Sequence, residues 1–438
     1  MSLSIEQVRA KVASQKTLLP ALYGGVDFDA VPERFTLDPS QAVVRDRAPM
    51  GVAVQQDDLD RVRAYTMLGD LVADAYAALI PQYGFRRLID MLTRACEQGI
   101  AAVADAPPQL AAFIADMEAT PDWVDMDLVR EGARLDLNAT AHLAPFAVRG
   151  AFIATFLNKY SALPMALTGT LSNDSAARRV NETATFFATT VLPGALERYG
   201  AGFKAAAMVR LMHSMVRFNA IRSGRWDVSV YGVPIPQVDQ MPAGLIPIFL
   251  MSFQIIGKGR RHFTAEERAK VELARYRCFL LGLPEDLLAD TPEGVVRMMT
   301  ARNSTLRQGF DDETCGALIR ATLAAYLPPD TSPANRLHDR IERKFAKAFF
   351  LRHFVKGDRA AAARMGVEIT ASDQVVYGAV AVGVIGQMLA FKAAGRVPVL
   401  RDFADAALVA RVRQLLARYG HAEYVSDAAQ YRPAHAAA

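Results

Sequence analysis

Ala176-Ala-Arg-Arg-Val-Asn-Glu-Thr-Ala-Thr-Phe-Phe-Ala-Thr-Thr-Val191, the loop Leu192-Pro-Gly-Ala-Leu-Glu-Arg-Tyr-Gly200, and Phe203-Lys-Ala-Ala-Ala-Met-Val-Arg-Leu-Met-His-Ser-Met-Val-Arg-Phe-Asn-Ala-Ile-Arg222 form the stretch on which the reading of this chain turns. Both long segments carry apolar residues at helical spacing, so two amphipathic helices joined by a Pro-Gly turn are predicted. In the first, Arg179, Glu182 and Thr183 fall at i, i+3 and i+4 and share one face. In the second, His213 sits among Leu211, Met212 and Met215, with Arg210 three residues before it and Arg217 four after.

That pattern suits a bound haem. A His on an apolar helix offers a neutral ring nitrogen to iron, Arg210 and Arg217 can pair with propionates, and Met212 and Val209 can line the macrocycle. Two plainer readings stand beside it. A single His on a buried stripe is also how a hydrogen-bonded core histidine looks, and Arg-Glu at i, i+3 is the usual form of a helix-surface ion pair.

Outward from this centre, helix follows helix. Residues 57–83, 85–104, 109–118, 125–138 and 144–160 repeat apolar residues at three and four, and no stretch alternates with the two-residue period of a strand. Downstream, residues 245–256 are apolar nearly all round and read as a buried helix; Thr264-Ala-Glu-Glu267 is a capping box, and Thr291-Pro-Glu-Gly places Pro at the first helical position. Further helices are predicted near 311–326, 335–355, 372–394 and 401–418. Val375 to Phe391 is an apolar run broken only by Gln387; it falls at the lower edge of spanning length, and is assigned to a buried core helix and not to a membrane span. The expected organisation is a proline-interrupted arm over 1–55, a single helical domain over 56–421, and a frayed tail over 422–438.

Bulk properties narrow the function. With 438 residues the chain has material for a large core. Fifty basic against 46 acidic residues leave an excess too small for a nucleic-acid surface. Cys96, Cys278 and Cys315 are far apart and odd in number, and the N-terminus shows neither a secretory signal nor a twin-arginine pair, so a reduced, cytoplasmic location is expected. No His-Glu-x-x-His, Glu-x-x-His, Gly-x-Ser-x-Gly or Walker-type loop occurs. Among the other histidines, His142 is the second iron candidate, with a surface or capping role preferred for it.

The string Arg179-Val-Asn-Glu-Thr183, with His213 in Arg210-Leu-Met-His-Ser-Met-Val-Arg217, resembles the signature of the rubber oxygenase (latex clearing protein) and mycophenolate-pathway oxygenase superfamily. Thr120-Pro-Asp-Trp-Val-Asp125, Gly232-Val-Pro-Ile-Pro-Gln237 with Asp239, and Leu280-Leu-Gly-Leu-Pro-Glu-Asp-Leu-Leu288 are similar to further segments of that family. The resemblance implies an all-α fold with a globin-like core and additional wrapping helices, and haem b as cofactor. It implies His213 as the iron ligand and places Arg179 and Thr183 beside the haem on the other helix, with Arg179 donating hydrogen bonds to dioxygen as charge builds on it; Glu182 between them completes the expected catalytic cluster as an acid/base or a resting-state iron ligand.

Two positions depart from the rubber-cleaving pattern. Glu182 stands where those members have a Lys, and Leu163 stands where they have a Glu that serves as base. The expected activity is therefore oxygenation of an apolar, unsaturated small molecule such as an isoprenoid or other alkenyl chain. Peroxide-driven chemistry, for which an Arg and a carboxylate over haem are also suited, is the enzymatic alternative. A haem or apolar-ligand binding protein without catalysis is the non-enzymatic one.

Overall fold

Helix signals written into the sequence account for most of the observed boundaries. In the computed structural model, which describes residues 3–168 and 173–420, Thr264 caps Ala265–Leu280 with a reciprocal bond to Glu267, and Thr291 caps Pro292–Thr305 with Pro292 at the first position. Asn173–Thr189 and Ala201–Arg222 are the two central helices. The fold is all-α, as expected: among the described residues the only β pairings are the isolated bridges Phe35↔Leu306 and Ala42↔Arg307.

The described residues divide into two compact units, one of residues 3–132 and 196–308, the other of 133–195 and 309–420. In the first, Ala201–Arg222 packs against Leu71–Ala77, Phe85–Gln98 and Ala265–Leu280, while Gln237–Gly257 packs on Ala265–Leu280 and Pro292–Thr305. In the second, Pro333–His353 packs on Ala144–Ala154 and Ala371–Ala394, and Asn173–Thr189 lies against Ala317–Ala324 and Pro398–Tyr419. Phe152, Ile153, Phe156, Val180, Ile319 and Phe350 form the main apolar cluster of that second unit.

Several expectations are corrected. The N-terminal arm holds a regular helix, Ile5–Leu18, started by a Ser4 capping box ahead of the first proline. The long helix expected over 57–83 is three pieces, Gln56–Tyr65, Leu71–Ala77 and Ile80–Tyr83. Its break at 66–70 is held by buried side chains: Gln15 accepts from the Gly69 amide, and Asp70 caps the next helix by accepting from Ala73. The predicted buried helix around 245–256 is buried on one face only, with Leu245, Ile248 and Ile255 inside and Leu250 46% exposed. The core assignment of Val375 to Phe391 fails more completely, because in Ala371–Ala394 only Asp373 and Val384 are buried. By length and composition alone, Gln237–Gly257 and Ala371–Ala394 are both long and apolar enough to cross a membrane. The expected tail over 422–438 lies outside the described residues.

Candidate functional site

On Ala201–Arg222 the half-buried His213 is held from one side by the neighbouring helix Gln237–Gly257. Its Nδ1 lies 3.2 Å from Gln240 Oε1; Gln240 Nε2 donates to Gln237 Oε1 at 3.0 Å, and Gln237 Nε2 donates to the Gly69 carbonyl at 3.1 Å. The order of donors in this relay is forced. A backbone carbonyl only accepts, so Gln237 must turn its amide nitrogen to Gly69 and its oxygen to Gln240; Gln240 must then turn its oxygen to the ring, and Nδ1 carries the hydrogen. In the neutral imidazole this makes Nε2 the lone-pair nitrogen. Both glutamines are buried, so the relay is shielded from competition by water.

Arg210 and Arg217 flank His213 but already have partners. Arg210 Nε and Nη2 donate to the two oxygens of Asp70 at 2.5 and 3.0 Å, and Nη1 lies 2.7 Å from Asp116. Arg217 pairs with Asp74 and donates to the carbonyls of Pro234 at 2.9 Å and Ile235 at 2.8 Å. Tyr23 donates to the same Asp74 at 2.6 Å, and its hydroxyl is held well above its usual pKa by burial and by that carboxylate. Burial opposes the charge on Asp70, yet Arg210 holds its carboxyl below the usual value; Asp74 is pushed up, chiefly by burial, with Asp70 adding to it. Such fully desolvated pairs lock position and are costly to open. Arg210 and Arg217, expected to pair with propionates, are thus engaged by carboxylates and brace the His213 helix against Leu71–Ala77. Met212, beside His213, is half-buried.

The segments singled out around the histidine do this bracing. Gly232-Val-Pro-Ile-Pro-Gln237 supplies the carbonyls that take Arg217, the first relay glutamine, and the Gly232 carbonyl that accepts from Trp226 Nε1 at 2.7 Å. Ile235 is at φ +47°, a backbone conformation that a β-branched residue adopts only under constraint, and its carbonyl is thereby turned to Arg217. Asp239 clamps Arg34 at 2.6 and 2.7 Å and Arg302 at 2.9 Å. In Thr120–Asp125, Trp123 lies beneath the Arg275 guanidinium at 3.9 Å. In Leu280–Leu288, Gly282 at φ +84° leaves no room for a side chain beside Asp70 and Arg210. The sequence offered no sign of Gln240, Gln15 or Asp74, because each acts across a separation set by packing.

In the second unit, Arg179 Nη1 lies 2.9 Å from Glu182 Oε2, with both side chains less than a tenth exposed. The i, i+3 pair predicted as a surface possibility is therefore buried, and Thr183, half-buried, follows it on the same face. A buried guanidinium-carboxylate pair holds a cation and a proton-accepting group in fixed geometry. His142 is corrected too. It ends Met126–His142, is 1% exposed, and rests on Phe391 with ring centroids 5.0 Å apart; its Nδ1 faces Asn138 O and Oδ1 at 3.0 and 2.9 Å. Burial lowers its pKa, as for a neutral core histidine, and it neither caps a helix nor faces solvent. Among the described residues no group of three or more His, Cys, Asp or Glu could hold a metal ion.

No curated protein matches the chain. Among solved structures, latex clearing protein LCP in its closed state is similar in fold, with a TM-score of 0.55 and 17% identity over 87% of this chain and 95% of that one. The family model described as "ER-bound oxygenase mpaB/B'/Rubber oxygenase, catalytic domain" matches residues 139–387, more than half of the chain, and the protein belongs to that family.

Proposed function

We propose that the protein is a haem b-dependent oxygenase that uses dioxygen to oxidise an apolar, unsaturated small molecule of isoprenoid or other alkenyl type. Membership of an oxygenase family supplies the reaction class. The observation that carries the cofactor is the glutamine relay behind His213: a ring whose Nδ1-H is bonded to a buried acceptor presents Nε2 as the ligand nitrogen, and the same bond raises its basicity.

The donor chemistry at His213 would therefore suit an iron ligand, while Arg210 and Arg217 are engaged by Asp70 and Asp74. Haem, when bound, supplies the electron chemistry that activates dioxygen and that no side chain here provides. Arg179 acts as a fixed hydrogen-bond donor wherever negative charge develops on oxygen. Glu182, held by Arg179, takes up or returns a proton, filling the place of the base that Leu163 cannot supply. Thr183 adds a hydroxyl on the same face and positions oxygen or water. Met212, next to the ligand, contributes apolar surface to the cofactor.

The test is spectroscopic first. Purified full-length protein is expected to show a b-type Soret band, and His213→Ala to lose the haem or change its ligation; an unchanged spectrum in the variant removes the assignment. A short isoprenoid offered with dioxygen or with peroxide then separates the oxidants. Turnover with peroxide alone would overturn the dioxygen part of the proposal.

A further inference from the structure

Ala371–Ala394 is anchored by one face and bare on the other. Inward, Tyr377 stacks on Phe345 with centroids 4.8 Å apart, Asp373 takes Lys347 at 2.7 Å, and Val384 is buried. Outward, no charged residue occurs between Asp373 and Lys392, and Val375, Val382, Ile385 and Leu389 are 71%, 74%, 55% and 61% exposed. In the next helix, Pro398–Tyr419, Val399 and Phe403 are 78% and 75% exposed. The four on Ala371–Ala394 alone bare apolar surface on the scale of the largest patch of a typical monomer, about 300–600 Å².

The outward row has a register. Val375, Ala379, Val382, Gly386, Leu389 and Ala393 are all exposed and follow one another at steps of four, three, four, three and four, the heptad spacing of a helix-helix seam. Large and small residues alternate along it. Two copies of this helix laid antiparallel about a two-fold axis level with Val384 bring Val375 opposite Ala393, Ala379 opposite Leu389, and Val382 opposite Gly386. Every facing pair is then one large residue against one small one, the pattern that lets facing layers interdigitate. A Cβ added at Gly386 meets nothing within 4 Å, so the partner helix has room there. Lipid contact gives no reason for a repeating Gly/Ala row, whereas close approach of two helix backbones requires one.

We infer that this face is an interface between two copies of the chain, a two-fold antiparallel pairing of Ala371–Ala394 with itself, in which each copy presents the same patch to the other. Sedimentation equilibrium of the full chain in detergent-free buffer at tens of micromolar is expected to give twice the mass of one chain. Val382→Arg puts like charges together at the centre of the seam, and Gly386→Leu overfills it. Each is expected to weaken association roughly 100-fold or more with the helical circular dichroism unchanged.

Register is read by disulfide formation, since the native thiols Cys96, Cys278 and Cys315 are all buried. Val375→Cys together with Ala393→Cys should give a covalent dimer on mild oxidation. Val375→Cys alone should not, because the antiparallel arrangement separates the two copies of that position by roughly 27 Å. A monomeric wild type overturns the inference. So does efficient crosslinking of Val375→Cys alone, or flotation of the wild type with phosphatidylcholine vesicles as a monomer. A dimer that appears only after residues 421–438 are removed would instead assign the face to the chain's own C-terminal segment.

Discussion

At the scale of single residues the decisive contact is Gln240 to His213. Replacing Gln240 with Leu removes the acceptor that fixes the ring, so Nδ1-H loses its bond and the two neutral tautomers become comparable in population. On the proposed reading of His213 as a haem ligand, cofactor affinity is expected to fall roughly 10- to 100-fold, less than the loss in His213→Ala. In haem-free protein, nitrogen NMR should report a mixed tautomer in place of one with hydrogen on Nδ1. An unaltered ring spectrum would remove Gln240 from the relay. His213 and the Arg179, Glu182, Thr183 face could be read from spacing alone, because helix periodicity fixes which residues share a side. Gln240 could not, since its 27-residue separation from His213 is closed only when Gln237–Gly257 folds back.

Caps and breaks decide the elements. Where the sequence carries a local device, as at Thr264 and Thr291, the observed helix starts there, because the capping bond lies within four residues. At the break at 66–70 the local device is Asp70, the cap of Leu71–Ala77, set inside an otherwise continuous apolar repeat. The break exists because buried partners, Gln15 and Gln237 among them, take the Gly69 peptide on both sides, and because Asp70 and Asp74 must meet Arg210 and Arg217.

Asp74→Ala leaves the Arg217 guanidinium uncompensated in a position of zero exposure, and removes Tyr23's acceptor as well. The expected cost is about 3–5 kcal/mol in denaturant unfolding, and Asp74→Leu with Arg217→Met should recover much of it by replacing the pair with apolar packing. A loss under about 1 kcal/mol for Asp74→Ala would show that the pair does not hold this element.

For the molecule as a whole, the second unit contains a titrating centre whose sign can be worked out. Arg149, fully buried, donates to Glu342 at 2.8 Å, to the Thr322 and Ala325 carbonyls at 2.7 and 2.8 Å, and to Asp339 at 3.2 Å. Burial outweighs the Arg149 charge and pushes the Glu342 carboxyl from 4.5 up to about 7. A raised folded value means the native state binds the proton more tightly than the unfolded chain. The stability from Glu342 is thus complete below about 4.5 and is lost as pH rises through about 7. Thermal melts of wild type and Glu342→Gln across this window should show the wild type losing ground to the variant as pH rises. Parallel curves would exclude Glu342 as the titrating group.

The sequence by itself determined the fold class, most helix positions and the spacing that marks Arg179, Glu182, Thr183 and His213, since all of these follow from interactions within a few residues. Only the tertiary structure decided that Arg210 and Arg217 are bound by carboxylates, that His142 is a core residue, and that Ala371–Ala394 turns an apolar face outward. Hydropathy records what a side chain prefers. Burial and pairing depend on which distant helix arrives to meet it.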